Sequence, residues 1–195
     1  MNLLQNYIDI YKSEEPILSE KEINSLQWQK GEWTDESGAS IQYQNCGSSF
    51  CYEQSIYDRL TGWARDCVTT YALQREFTIN AGSSPRFNRY VEGEFMEKHI
   101  DHIYSCFDGN QKGIPVLSII GILNEEYEGG DLVFYLDGEE YIPKLKTGDT
   151  IVFPSAFPWG HEVKPITSGT RYTWVSWAWR INISGDLCLT NGKEK

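Results

Sequence analysis

Three histidines occur in this 195-residue chain, and two of them stand where they could share one ion. His99-Ile100-Asp101 sets an imidazole and a carboxylate two residues apart. On a strand such residues project from the same face, so His99 and Asp101 can hold one ion while Ile100 points away. A third donor must then come from a strand close in space and distant in sequence, and His161 is the candidate. Two imidazoles and one carboxylate on one side of a metal suit ferrous iron and leave coordination positions open. His102 falls on the opposite face of a regular strand and reads as structural or substrate-side. No cysteine pair has zinc-finger spacing, which argues against a structural zinc site.

The surroundings of these residues add specificity. Gly148-Asp149-Thr150-Ile151-Val152-Phe153-Pro154-Ser155 leads into His161-Glu162-Val163-Lys164-Pro165. Gly169-Thr170-Arg171 and a strand-like run from Tyr172 to Trp179 follow. Together with His99-x-Asp101, this pattern resembles the 2-oxoglutarate- and Fe(II)-dependent dioxygenases, in their prolyl 4-hydroxylase-like branch, from Phe87 to Trp179. Leu123-Asn124, followed by Tyr127-Glu128-Gly129-Gly130-Asp131-Leu132, fits a signature of the same family. Its paired glycines allow a tight turn with positive φ and read as structural.

The resemblance implies a set of roles. His99, Asp101 and His161 would ligate Fe(II). Arg171 would grip the distal carboxylate of 2-oxoglutarate, since a guanidinium fork takes a carboxylate through two parallel charge-assisted hydrogen bonds. Collagen-type prolyl hydroxylases usually carry Lys there, which sets this chain nearer the other members of the branch. Thr173, on the same face as Arg171, would add a hydroxyl, and Tyr90, in Tyr90-Val91-Glu92-Gly93, would help to hold the co-substrate. A further tyrosine that some hypoxia-type enzymes carry is replaced here by Gly121. Candidate substrate-contacting residues are Arg86, Arg89, Tyr104, Trp159 and Trp174. The implied cofactors are Fe(II), 2-oxoglutarate as co-substrate and O2, with ascorbate as a candidate reductant.

The reaction expected from the resemblance is hydroxylation of a C–H bond, with succinate and CO2 as co-products, and a prolyl residue in a peptide or protein is the leading substrate. The alternatives are a free amino acid or small metabolite as substrate, or a jelly-roll binding module without catalysis. The carboxylate of Asp101 argues against halogenation, because related halogenases lack it.

These residues need a scaffold that brings distant strands together. From Phe87 onward, short apolar runs alternate with turn signals at Gly93, Asp108-Gly109-Asn110, Gly113-Ile114-Pro115, Gly129-Gly130, Asp137-Gly138, Gly148-Asp149 and Gly169. Such spacing reads as a sandwich or barrel, and the family resemblance makes it a double-stranded β-helix, or jelly roll. The expected fold class is mainly β with flanking helices (α+β). At this length one domain is expected, with helical and loop support over 1–85, a catalytic core over 86–182 and a tail over 183–195. Ser19 with Glu22 forms a capping-box pattern within Pro16 to Trp28. Ile56, Leu60, Trp63, Ala64, Cys67 and Tyr71 recur at close to helical spacing within Tyr52 to Leu73, which predicts an amphipathic helix on the outside of the barrel. Residues 31–50 read as loop and edge strand.

Composition narrows the partners. The formal charge is -11, and a surface of that sign repels phosphate backbones, so a nucleic-acid substrate is not expected. Five cysteines in no paired pattern point to a reducing cytoplasm. The first ten residues lack a basic segment and a long apolar core, so no signal peptide is expected, and no run approaches the ~20 apolar residues of a membrane helix. The sequence gives no reading of the oligomeric state.

Overall fold

The computed structural model describes residues 3–30, 33–34, 40–41, 47–50, 53–101 and 115–180. In chain order the elements are β1 (Asp9–Lys12), α1 (Glu20–Ser25), β2 (Gln29–Lys30), β3 (Trp33–Thr34), β4 (Ser40–Ile41), β5 (Gly47–Phe50), α2 (Gln54–Gln74), β6 (Ala81–Gly82), β7 (Arg86–Val91) and β8 (Met96–His99). They continue as β9 (Leu117–Ile122), β10 (Tyr127–Gly129), β11 (Leu132–Leu136), β12 (Glu139–Tyr141), β13 (Asp149–Pro154), β14 (Gly160–Val163) and β15 (Ile166–Trp179). A major sheet runs β1-β13-β9-β15-β7-β5-β2, with β6 and β10 also paired to β15. A minor sheet runs β12-β11-β14-β8. Pairing within both is antiparallel, and the whole is the jelly roll with flanking helices that the family resemblance implies.

Strand alternation divides the major sheet into two faces, each with its own core. Ile120 and Ile122 of β9, Ile151 and Phe153 of β13 and Val175 of β15 pack with Leu132, Phe134 and Val163 of the minor sheet. This is the barrel interior. Leu117 and Ile119 of β9, Val152 of β13, and Trp174 and Ala178 of β15 pack instead with Ile56, Leu60, Ala64, Cys67, Val68 and Tyr71 of α2. The helix therefore buries the stripe its periodicity marks, and its Trp63 Nε1 donates to Thr150 Oγ1 at 2.8 Å. Helix α1 begins with a full capping box: Ser19 N donates to Glu22 Oε2 at 2.7 Å and Glu22 N to Ser19 Oγ at 3.4 Å.

The N-terminal support is more than helix and loop. β1 adds an outer strand to β13, and β5 pairs with β7. Asp9-Ile10-Tyr11-Lys12 has too short and too polar a pattern to signal a strand. What fixes it is tertiary: Arg75, at the end of α2, donates to both carboxylate oxygens of Asp9 at 2.8 Å, and Tyr71 Oη donates to the Tyr7 carbonyl at 2.8 Å. The segment before β7 also contributes β6, two residues paired with the end of β15.

Gly121 of β9 lies directly opposite Trp174 of β15, and its missing side chain leaves room for the indole. A Cβ there would lie 1.9 Å from Nε1 and 2.3 Å from Cε2 of Trp174, whose ring is fully buried. Gly121 thus faces the helix side, and a tyrosine at this register would point away from the barrel interior. Gly121→Ala is expected to lower stability by about 1–3 kcal/mol, the usual cost of forcing extra volume into a packed core. Urea unfolding followed by tryptophan fluorescence measures it.

Candidate metal centre

β8 and β14 are antiparallel neighbours, and His99 lies directly opposite His161 in their register. Directly opposed residues project from one face, so the two imidazoles converge with ring centroids 4.3 Å apart. A register shift between His161 and Val163 accompanies this pairing. Asp101 completes the group by a route the H-x-D spacing does not describe. β8 ends at His99, and Asp101 sits on a bend beyond it, with its backbone N–H donating to the Ser155 carbonyl at 3.0 Å. The result is still convergent: Asp101 Oδ1 lies 3.4 Å from His99 Nε2 and 3.6 Å from His161 Nε2. One donor atom from each of the three residues falls within 4.8 Å of the others.

The surroundings prepare these groups for a cation. His161 is 3% exposed, with its ring against Phe153 at 4.9 Å and Phe134 at 5.9 Å. Burial pushes its pKa down to about 4, assisted by His99 and partly offset by Asp101, so the imidazole is neutral and its lone pair free for a metal. Burial also opposes the charge of Asp101, but His161 and the His99 and Ser118 hydrogen bonds outweigh it, and the carboxyl stays well below its ordinary range. His99 moves the other way: burial lowers its pKa, but the Asp101 hydrogen bond and charge, with the Glu97 carbonyl, raise it above the usual value. The Glu97 carbonyl lies 2.7 Å from His99 Nδ1, which directs Nε2 at the site. His99 is therefore the ligand that must shed a proton to bind a metal. Metal affinity of the apoprotein is expected to rise as pH increases through the raised titration range of His99, with the proton released from that residue. Calorimetric titrations in buffers of different ionisation enthalpy check this.

Arg171, Thr173, Val175 and Trp177 alternate on the barrel side of β15, where Val175 and Trp177 join the inner core. Arg171 is 2% exposed and lies opposite Tyr90 on β7, its guanidinium 5.5 Å from the Tyr90 ring centroid. Its Nε is buried without a hydrogen bond, and it forms no ion pair among the described residues. Thr173 is also buried. The Leu123-Asn124 pair has a specific use here. Asn124 Nδ2 donates to the Thr170 carbonyl at 2.7 Å and its Oδ1 accepts from Tyr172 N at 2.8 Å, clipping the strand on both sides of Arg171. Of Gly129 and Gly130, read as structural from the sequence, Gly130 also serves this residue. Both have positive φ, and a Cβ at Gly130 would lie 3.1 Å from Arg171 Cδ, so the glycine makes room for the arginine stem.

The candidate substrate residues separate. Arg86 is on the barrel side, its guanidinium 5.4 Å from the Trp177 ring. Trp159 is half-buried against the inner core and packs on Tyr7 at 5.1 Å. Arg89 and Trp174 do not reach the site. Alternation turns both to the opposite face, where Arg89 lies 5.3 Å from the Trp28 ring and Trp174 is enclosed by the helix-side core. Tyr104 and His102 lie outside the described residues. The sequence reading missed Ser118, Ser155, Trp177 and Asn88. Asn88 is buried on the barrel side opposite Thr173 with its side-chain oxygen unpartnered. Trp177 was accessible by counting in twos from Arg171, whereas the serines carry no signal in their own spacing.

Comparison with known proteins agrees with this geometry. Residues 85–179 match the family model of the 2OG-Fe(II) oxygenase superfamily. A PKHD-type hydroxylase of Aliarcobacter butzleri (strain RM4018) is 31% identical over 181 residues, which covers 85% of this chain and 76% of the relative. A PKHD-type hydroxylase of Acinetobacter baumannii is 40% identical over 96 residues, 48% of this chain and 41% of that protein, so the chain spans well under half of its length. A prolyl hydroxylase from Trichoplax adhaerens, solved in complex with a hypoxia inducible factor oxygen degradation domain peptide fragment, shares the fold with a TM-score of 0.63 at 16% identity, over 91% of this chain and 85% of that one. This chain belongs to the 2OG-Fe(II) oxygenase superfamily. The family uses Fe(II), 2-oxoglutarate and O2, and the donor set and geometry of His99, Asp101 and His161 fit such an iron.

Proposed function

We propose that the protein hydroxylates a C–H bond of a prolyl residue in a peptide or protein, with residues 86–182 as the catalytic core and 1–85 as its support. The observation that carries the reading is Arg171: a buried guanidinium on the inner wall of the barrel that holds the three metal donors, with no anionic partner among the described residues. A buried cation is expensive unless paired, so the site is built to receive an anion. A dicarboxylate co-substrate supplies one.

In this reading His99, Asp101 and His161 hold Fe(II), while Arg171, Thr173 and Tyr90 seat 2-oxoglutarate. The iron supplies O2 chemistry in which 2-oxoglutarate and O2 become succinate, CO2 and the substrate hydroxyl. The chain contributes fixed ligands, an oriented co-substrate and a dry interior lined by Ile120, Ile122, Phe134 and Phe153. Hydroxylation is favoured by the PKHD-type hydroxylase relatives, and a peptide substrate by the peptide bound to the Trichoplax neighbour. A second reading, a free amino acid or small metabolite, draws on Arg86, whose charge beside Trp177 suits a substrate carboxylate. No described helix is long and apolar enough to cross a membrane, and Cys67 is a free thiol; a reducing cytoplasmic setting suits this usage.

The test is consumption of 2-oxoglutarate by purified protein, with ascorbate present, with and without added Fe(II). Mass spectrometry then screens proline-containing peptides and free amino acids for a gain of about 16 Da, the one oxygen atom this chemistry inserts. Iron-dependent consumption with oxygen in peptidyl proline supports the proposal. Oxygen found only in free amino acids moves the assignment to the second reading, and no iron-dependent consumption with any substrate overturns both.

A further inference from the structure

The two oxygens of Asp101 have different environments. Oδ1 faces the two imidazoles at 3.4 and 3.6 Å. Oδ2 faces the protein: it accepts the Ser118 hydroxyl proton and the Trp177 indole N–H at 2.9 Å. Ser118 Oγ in turn lies 2.8 Å from Ser155 Oγ. A hydroxyl has one proton, and that of Ser118 is committed to the carboxylate, so Ser155 donates to Ser118. Ser155 grips Asp101 a second time, because its carbonyl takes the Asp101 backbone N–H at 3.0 Å. Both serines are buried, Ser118 at 1% and Ser155 at 0% exposure. The anchors come from three strands or strand ends: β9, the end of β13 and β15.

A carboxylate that can rotate offers a metal both oxygens. One whose second oxygen already accepts two hydrogen bonds offers the first alone. We infer that Ser118, Ser155 and Trp177 are positioning residues that hold Asp101 as a one-oxygen ligand, and thereby set the metal affinity of this centre and keep its coordination positions open for co-substrate and O2. The inference rests on the metal-binding reading above. It assigns a purpose to two buried serines that otherwise cost burial of polar groups in an apolar barrel, and to an indole whose position on β15 follows from strand alternation.

The experiment uses Co(II) as probe with the full chain, freed of metal, and no 2-oxoglutarate. Partners of metal ligands typically contribute 10–100-fold in affinity. Ser118→Ala and Trp177→Phe are each expected to weaken Co(II) binding by about that factor and to change the visible Co(II) absorption, which responds to coordination number. Ser155→Ala acts through Ser118 and is expected to give a smaller loss with a change in the same direction. Far-UV circular dichroism establishes which variants fold. Folded variants with the affinity and spectrum of the wild type overturn the inference, and Ser155→Ala, the loss of one oxygen atom, decides it if a larger replacement does not fold. Wild-type protein that binds no Co(II) overturns the metal centre itself, and that result is distinct from variants that match a binding wild type.

Discussion

His161→Ala is expected to remove metal binding and, with it, all 2-oxoglutarate turnover. The replacement takes away one of three protein donors to an ion whose remaining positions serve the reaction. Removing only a partner of a metal ligand costs roughly 10–100-fold, so losing a ligand should exceed a hundredfold. His161 is the more telling of the two histidines because it arrives bare. Burial keeps it neutral to about pH 4, so no proton competes with the metal there near neutrality. The variant also leaves a hole beside Phe134 and Phe153. Stability and metal binding therefore need separate measurement, by thermal unfolding of the apoprotein and by Co(II) titration. A folded His161→Ala protein that retains most of the iron-dependent decarboxylation would remove this residue from the ligand set. His99→Ala is expected to give the same loss.

Arg171→Ala should raise the 2-oxoglutarate requirement by more than about a hundredfold while leaving metal affinity nearly unchanged. Stranding one member of a buried charge pair typically costs about 3–5 kcal/mol, and each 1.4 kcal/mol is a factor of ten. Among the described residues this cation has no anionic partner, so the truncated form should be at least as stable as the wild type before ligand is added, and much less stabilised afterwards. Arg171→Lys keeps the charge but loses the fork, and an intermediate affinity is expected. Thr173→Val should cost about 1 kcal/mol, the worth of one neutral hydrogen bond. Anaerobic titration of 2-oxoglutarate into the Fe(II)-loaded variants, read by the charge-transfer absorption of the complex, measures these directly. Unchanged affinity in Arg171→Ala would undo the assignment of this pocket to 2-oxoglutarate.

Much of the centre is legible from spacing because it is built from strand periodicity. A period of two places Arg171, Thr173 and Trp177 on one wall, and the capping box and apolar stripe mark α1 and α2 in the same direct way. What resists sequence reading depends on contacts between distant segments. β1 exists because Arg75 and Tyr71 hold its end of the chain, and no local pattern records that. Asp101 reaches the histidines from a bend, guided by Ser155 more than fifty residues later. Arg89 and Trp174 read as rim residues by type, yet their register turns them toward Trp28 and α2. Ser118 and Ser155 are common residues whose roles arise only when β9 and β13 lie side by side.

The length of β15 bears on how such sequences can diverge. Its fourteen residues carry Arg171, the indole that hydrogen-bonds the Asp101 carboxylate and, on the reverse, the tryptophan that fills the notch at Gly121. Insertion of one residue between Arg171 and Trp177 would exchange the two faces downstream of it, sending the indole to the helix and Trp174 or its neighbours into the barrel. Insertion of two would restore the faces but displace the indole by about 6.6 Å along the strand. Descendants of this chain can therefore trade residue types along the strand and vary the length of their surface loops. The count from Arg171 to Trp177 is what keeps both side chains on the barrel wall of a regular strand.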